Sequence, residues 1–164
     1  MLTTALIAVG VLGSGIQAGA LLMVLYGVCP TFRTLEVPEW IRLHVSLDRS
    51  VERYMPALNV LTGATTLWLL FLAQSPEARL LRILALACNI ALALMSELVN
   101  VRINKAVAAR VAVSSAGEPI GLDDHEHARL VGVRERWIRW HQLRTVDIVA
   151  GFGLYVAAAL VSAA

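Results

Sequence analysis

Apolar positions along the chain gather into four long runs separated by segments that carry most of the charge. The runs cover approximately residues 3–28, 56–74, 80–101 and 144–163. A helix needs about 20 apolar residues to cross the hydrocarbon core of a bilayer, and each run is close to that length. The pattern predicts an all-α integral membrane four-helix bundle that forms a single domain over residues 1–164.

The three connections between the runs differ in length and character. The first is mixed in charge and bounded by Pro30 and Pro56, and its middle predicts an amphipathic helix at the membrane interface with Trp40 as a headgroup anchor. The second, "QSPEARL", is short and predicts an antiparallel helix pair. The third, residues 102–143, first extends the third helix beyond the membrane as "VRINKAVAARVAV". "SSAGEPIGL" then ends that helix, and Asp123 and Asp124 begin a helix that runs into the fourth span.

Composition agrees with a membrane location. Hydrophobic residues make up 58% of the chain and charged residues only 16%, whereas soluble domains average about 25% charged residues. We therefore expect the lipid bilayer as a partner, with association between copies of the chain as a second possibility, and no nucleic acid. The two cysteines, Cys29 and Cys88, predict neither a disulfide nor a metal motif.

Lysine and arginine residues predict the orientation. The first connection holds four, the second two and the third eight: Arg33, Arg42, Arg49 and Arg53; Arg79 and Arg82; Arg102, Lys105, Arg110, Arg129, Arg134, Arg136, Arg139 and Arg144. By the positive-inside rule we expect a multi-pass protein of the inner or plasma membrane, with the first connection and the connection 102–143 on the cytoplasmic side and both termini extracytoplasmic.

Polar residues near the cytoplasmic ends of the spans repeat at helical spacing. Burying a polar group in hydrocarbon is costly, so such residues usually face the interior of a bundle. The stripe on the third helix consists of Glu97, Asn100 and Asn104. The stripe on the fourth helix consists of Trp137, His141 and Arg144, and His44 in the first connection lies on the same side of the membrane. The sequence predicts a polar cavity there. Gln17 and Asn59, which are more central, either join helices by hydrogen bonds or contact a substrate.

Several neighbouring features have simpler interpretations. Arg136, Arg139 and Trp140 point away from the second stripe and suit a membrane-interface anchor. The "DDHEH" run at residues 123–127 indicates a capped helix start, because consecutive helical residues do not converge on one ion. Gly15 and Gly19 form a small-xxx-small pattern that permits close helix packing within or between subunits.

The polar motifs carry a family resemblance. With four short spans, a long connection before the last span, Asn100-x-x-x-Asn104 and Trp137-x-x-x-His141-x-x-Arg144-Thr145, the chain resembles the anthrone oxygenase-like family of small membrane proteins. The resemblance implies an oxidative enzyme of the natural-product type, acting on a hydrophobic or aromatic substrate drawn from the membrane. It also implies a site formed by Asn100, Asn104, Trp137, His141 and Arg144.

Two mechanisms fit these residue types. In the first, which uses only dioxygen, His141 is the base while Arg144 and the asparagine amides hold an enolate oxygen. In the second, His44 and His141 are ligands of a haem iron or a copper ion, and arginines bind haem propionates. A membrane assembly subunit without catalysis, or a piece of a transporter, would use the same polar stripes for packing alone.

Overall fold

The part of the chain that the structure describes forms five helices. The computed structural model describes residues 1–113 and 122–163, and within these residues every regular element is a helix, which confirms the all-α class. The helices are α1, Leu2–Thr34; α2, Val37–Val51; α3, Met55–Leu69; α4, Pro76–Met95 continuing through a π turn at Ser96–Asn100 into Val101–Val113; and α5, Asp124–Ala163. Most of the predicted break at "SSAGEPIGL" lies outside the described residues.

Helix α1 continues beyond its predicted end at residue 28. The sequence placed a boundary at Pro30, but a π turn at Val24–Val28 precedes the proline and the helix runs on to Thr34. A proline inside a helix leaves a carbonyl without its usual donor, and π turns and Ser/Thr side chains compensate for that loss. Here the Thr31 hydroxyl donates to the carbonyl of Gly27 at 2.9 Å.

Among the described residues, three helices are long and apolar enough to cross a membrane: α1, α4 and α5. The second predicted span is α3, which has 15 residues and therefore measures about 22 Å against a hydrocarbon core of about 30 Å. It packs beside α1 and α4 in the bundle. The structure is that of a membrane helical bundle, and the fourth crossing stays a prediction.

Helices α4 and α5 exceed the length that a bilayer requires. The candidate membrane spans in these two helices contain 35 and 40 residues, which corresponds to lengths of about 52 and 60 Å. Helix α2 packs on the extended ends of both, together with the end of α1, and encloses a core of buried side chains: Cys29, Phe32, Val37, Trp40, Ile41, Val45, Val107, Leu130, Trp137 and Ile138. This cap resembles the interior of a soluble protein.

The predicted interfacial role of Trp40 is wrong. The amphipathic helix exists as α2, but Trp40 is 0% exposed and lies in the core of the cap. Its ring meets the Phe32 ring edge-on with centroids 6.5 Å apart, and the guanidinium carbon of Arg134 lies 5.9 Å from its centroid. The reason is that the apolar face of α2 on which Trp40 lies, together with Val37, Ile41 and Val45, packs against the other helices of the cap.

Candidate functional site

Asn104 on α4 is the hub of a buried hydrogen-bond network. Its carbonyl oxygen accepts from the indole nitrogen of Trp137 at 3.0 Å and lies 3.1 Å from Nε2 of His44. Its amide nitrogen donates to Oδ1 of Asp48. An indole N–H can only donate, so it fixes which amide atom of Asn104 faces it, and His44 must then carry its proton on Nε2.

The two titratable partners of this network lie on α2, one helical turn apart. Burial lowers the pKa of His44 to about 4, an effect that its hydrogen bond to Asn104 opposes. Burial also raises the pKa of Asp48 to about 6, with the nearby charge of Glu52 raising it further and that of Arg144 lowering it. At neutral pH His44 is therefore a neutral donor and Asp48 is an ionised acceptor.

His141 on α5 belongs to a second network with a defined tautomer. Its Nε2 lies 3.0 Å from the carbonyl oxygen of Leu21, and its Nδ1 lies 3.0 Å from a guanidinium nitrogen of Arg144. A carbonyl only accepts and a guanidinium only donates, so Nε2 carries the proton and Nδ1 accepts from Arg144. The other terminal nitrogen of Arg144 donates to the Ser96 hydroxyl at 3.0 Å. This geometry makes His141 a residue that holds Arg144 in place.

Trp137 connects the two networks. Its indole stacks on His141 with centroids 5.2 Å apart and planes inclined at 14°, and it meets His44 edge-on at 4.9 Å. The predicted face of α5 is correct, because Trp137 and His141 are buried while Arg136 and Arg139 are exposed.

Asn100 lies between the two networks on α4. It is 1% exposed, yet neither atom of its side-chain amide has a hydrogen-bond partner among the described residues. One turn before it Ser96 binds Arg144, and one turn after it Asn104 binds Asp48. The Nε atom of Arg144 is also buried and without a partner. Buried polar groups are normally paired, so these unsatisfied atoms mark a position for a small polar group.

The π turn at Ser96–Asn100 explains why Glu97 lies outside the cluster. The sequence predicted Glu97, Asn100 and Asn104 on one face, but Glu97 is exposed and only the two asparagines are buried. A π turn contains one residue more than an α turn, so residues three apart across it no longer lie on the same face of the helix. π turns of this kind occur frequently at functional sites.

Gln17 and Asn59 form a separate set of hydrogen bonds in the middle of the bundle. Asn59 donates to the Gln17 carbonyl oxygen at 3.1 Å, and Gln17 donates to the Thr62 hydroxyl at 3.3 Å. Asn59 and Asn89 also exchange side-chain to backbone bonds at 3.4 Å. These residues join α1, α3 and α4 to one another, and none of these bonds reaches the cluster around Asn104.

The two histidines do not fit a shared iron or copper ion. Both ring nitrogens of His141 are engaged by Leu21 and Arg144, and Nε2 of His44 donates to Asn104. In the described part of the chain no group of three His, Cys, Asp or Glu side chains is placed to hold a metal. Arg134, a buried arginine of the cap, donates to the carbonyls of Phe32 and Leu35 at 2.8 and 2.9 Å.

Sequence reasoning missed Asp48 and Ser96. Asp48 follows His44 by four residues, so helical spacing alone places both on one face of α2. That signal was available in the sequence. The role of Ser96 was not, because it depends on the π turn that follows it.

The best-defined cavities lie away from the cluster. One, of about 170 Å³, is an open pocket between α4 and α5 and is lined by Ala106, Val107, Arg110, Arg129, Leu130 and Val133. The other, of about 10 Å³, lies at the opposite end of the bundle beside Arg82 and Tyr155.

Comparison with known proteins gives one match. A family model described as anthrone oxygenase matches residues 43–154, a range that contains His44, Asp48 and the site residues of α4 and α5. No curated protein and no solved structure matches the chain.

Proposed function

Because the chain belongs to the anthrone oxygenase family, we propose that it is a membrane-embedded oxygenase that oxidises a small hydrophobic or aromatic carbon acid. The site is the polar cluster around Asn100, Asn104, Trp137, His141 and Arg144, and it faces the cytoplasmic side. An apolar substrate concentrates in the bilayer and reaches the cluster where the spans end. Dioxygen is the oxidant in this proposal.

One observation supports the proposal more than any other: Arg144 binds Ser96, which lies one helical turn before the buried and unpaired amide of Asn100. A carbon next to an aromatic ketone loses a proton only if the negative charge on the ketone oxygen is stabilised. The hydrogen-bond partners of Arg144 are the neutral groups His141 and Ser96, so its positive charge stays available. Preorganised donors of this kind act most strongly where water is excluded.

The roles of the other residues follow from their bonds. His141 positions the guanidinium of Arg144 through Nδ1, which is a different role from the base expected from the sequence. Asn100 offers an amide N–H to the substrate oxygen. Trp137 is an aromatic wall between the two histidines, against which a flat ring can pack.

The test is oxidation of anthrone by the purified protein in lipid nanodiscs. Anthraquinone is followed by its absorbance and dioxygen by an electrode, with anthrone and its hydroxylated derivatives as probes. We expect Arg144→Gln to reduce kcat by about 100-fold or more, the usual cost of removing one such donor. Arg139→Gln is the matched control, because Arg139 is exposed on the same helix, and it should keep the wild-type rate.

Two results would contradict the proposed function. One is a wild-type rate no greater than that of empty nanodiscs. The other is an Arg144→Gln variant that oxidises anthrone as fast as the wild type does.

A further inference from the structure

Asp48 is a carboxylate that faces the site from α2. It is partly exposed at the edge of the cap, and its Oδ1 accepts from the amide of Asn104. The positive charge of Arg144 on α5 lowers its pKa, which places the two charges within electrostatic reach of each other. Asp48 therefore contacts α4 at Asn104, one helical turn from the unpaired amide of Asn100, and it is partly exposed.

We propose that Asp48 is the general base that removes the proton from the substrate carbon, a role that rests on the oxygenase function proposed above. Arg144 and Asn100 stabilise the oxygen of the resulting enolate, and Asn104 orients the carboxylate.

The other candidate bases are occupied or misplaced. The lone pair of His141 on Nδ1 accepts from Arg144, so it is not free to take a proton. His44 uses Nε2 to donate to Asn104, and burial lowers its pKa to about 4, which makes it a weak base. Glu97 is exposed on the outer surface of α4.

The surroundings of Asp48 suit proton abstraction. Burial raises its pKa to about 6, and Glu52 on the same helix raises it further through its charge and through a side-chain hydrogen bond to Asp48, while the charge of Arg144 lowers it. Asn104, its contact on α4, is neutral. The group is thus ionised at neutral pH, yet it binds a proton more tightly than an ordinary aspartate does, as efficient general bases do.

The reaction balances without an outside reductant. Asp48 takes one proton from the substrate CH₂ group, and the resulting carbanion, delocalised as an enolate, transfers electrons to dioxygen. A carbon–oxygen bond forms, and Asp48 returns its proton to give a hydroperoxide. Asp48 then takes the second proton from the same carbon while the O–O bond breaks, and the departing hydroxide receives that proton as water. In sum, R₂CH₂ and O₂ give R₂C=O and H₂O.

The decisive experiment separates proton removal from oxygen chemistry. Without dioxygen, wild-type protein in D₂O should exchange the CH₂ protons of anthrone for deuterium, as followed by NMR. Asp48→Asn keeps an oxygen that accepts from Asn104 but cannot take a proton. We expect it to slow both exchange and aerobic oxidation by about 10²- to 10⁴-fold, the usual range for a general base. Glu39→Gln, an exposed acid on the same helix, should behave as the wild type.

The pH profile gives a second readout. A base acts in its deprotonated form, so kcat/KM of the wild type should rise as pH increases through about 6, the pKa of Asp48. Asp48→Asn should lack that rise. If this variant does not fold, Asp48→Ala with added formate replaces it: restored exchange supports the assignment, and no restoration contradicts it.

The outcomes distinguish this inference from the proposed function. Exchange by Asp48→Asn at the wild-type rate, with oxidation still lost in Arg144→Gln, overturns Asp48 as the base and leaves the oxygenase standing. A wild-type protein that neither exchanges nor oxidises anthrone overturns both.

Discussion

Two asparagines one helical turn apart have opposite surroundings in this protein. Asn104 is bonded to Trp137, His44 and Asp48, whereas the amide of Asn100 has no partner among the described residues. The first therefore contributes to stability and the second is free to bind a ligand. The same residue type at the same helical spacing predicted a site for both, and only the contacts separate their roles.

This contrast gives a prediction for stability. Asn104→Ala leaves the N–H groups of Trp137 and His44 without their acceptor and should lower the free energy of unfolding by about 2–4 kcal/mol, since each buried unsatisfied group costs about 1–3 kcal/mol. Asn100→Ala removes an amide that has no bonds and should change stability by less than about 1 kcal/mol while lowering turnover. Denaturant unfolding in detergent measures both. Equal destabilisation by the two variants would show that Asn100 has a structural partner.

Residues on regular helices were predicted well. Trp137 and His141 share the inward face of α5 because that helix keeps the 3.6-residue period. Glu97 was misplaced because a π turn changes the period, and no pattern in "SELVN" announces it. Trp40 was misplaced because an amphipathic helix can turn its apolar face towards lipid or towards protein, and the sequence does not distinguish the two.

At the scale of elements, the site depends on interruptions in two long helices. The carbonyl of Leu21 accepts a hydrogen bond from His141, and the π turn of α1 begins three residues after Leu21. The Ser96 hydroxyl accepts a hydrogen bond from Arg144, and the π turn of α4 begins at Ser96. Leu21 and Ser96, which bind His141 and Arg144, thus lie beside or at the start of a π turn. The sequence indicates the first interruption through Pro30 and gives no sign of the second.

Close packing between helices depends on Gly63 and on one of the two predicted glycines. A Cβ atom at Gly63 on α3 would lie 2.6 Å from Oδ1 of Asn89. One at Gly15 would lie 3.1 Å from the Phe152 ring, and one at Gly19 would meet nothing within 4 Å. Of the predicted Gly15–Gly19 pair, only Gly15 therefore supports close packing within the chain.

A pair of glycine variants tests this packing. Gly63→Ala should destabilise the bundle by about 1–3 kcal/mol, because Asn89 must move away from its bonds with Asn59. Gly19→Ala should be neutral or stabilise by up to about 1 kcal/mol, since alanine favours the helix and nothing opposes it. Thermal unfolding in detergent compares them. A stable Gly63→Ala variant would mean that α3 and α4 can separate without loss.

At the scale of the whole molecule, the protein has two buried regions of different composition, the helix bundle and the cap. In the bundle, helices meet through small and polar side chains such as those around Gln17, while the cap contains an aromatic and aliphatic core. The candidate site lies where the two buried regions join, because Trp137 belongs to the core of the cap while His141 binds the carbonyl of Leu21 in the bundle. Hydropathy predicted the bundle because long apolar runs are unambiguous. It did not predict the cap, because the packing of α2 is a tertiary property.

The arrangement across the membrane can be tested with single cysteines in a protein lacking Cys29 and Cys88. The basic residues predict a cytoplasmic first and third connection, so a membrane-impermeant maleimide should label Glu77→Cys in intact cells. It should label Arg49→Cys and Arg129→Cys only after the membrane is permeabilised. All three positions are exposed on the protein. If Arg49→Cys and Glu77→Cys label from the same side, the 15-residue helix α3 does not cross the bilayer. If all three patterns reverse, four spans remain and the site faces the opposite compartment.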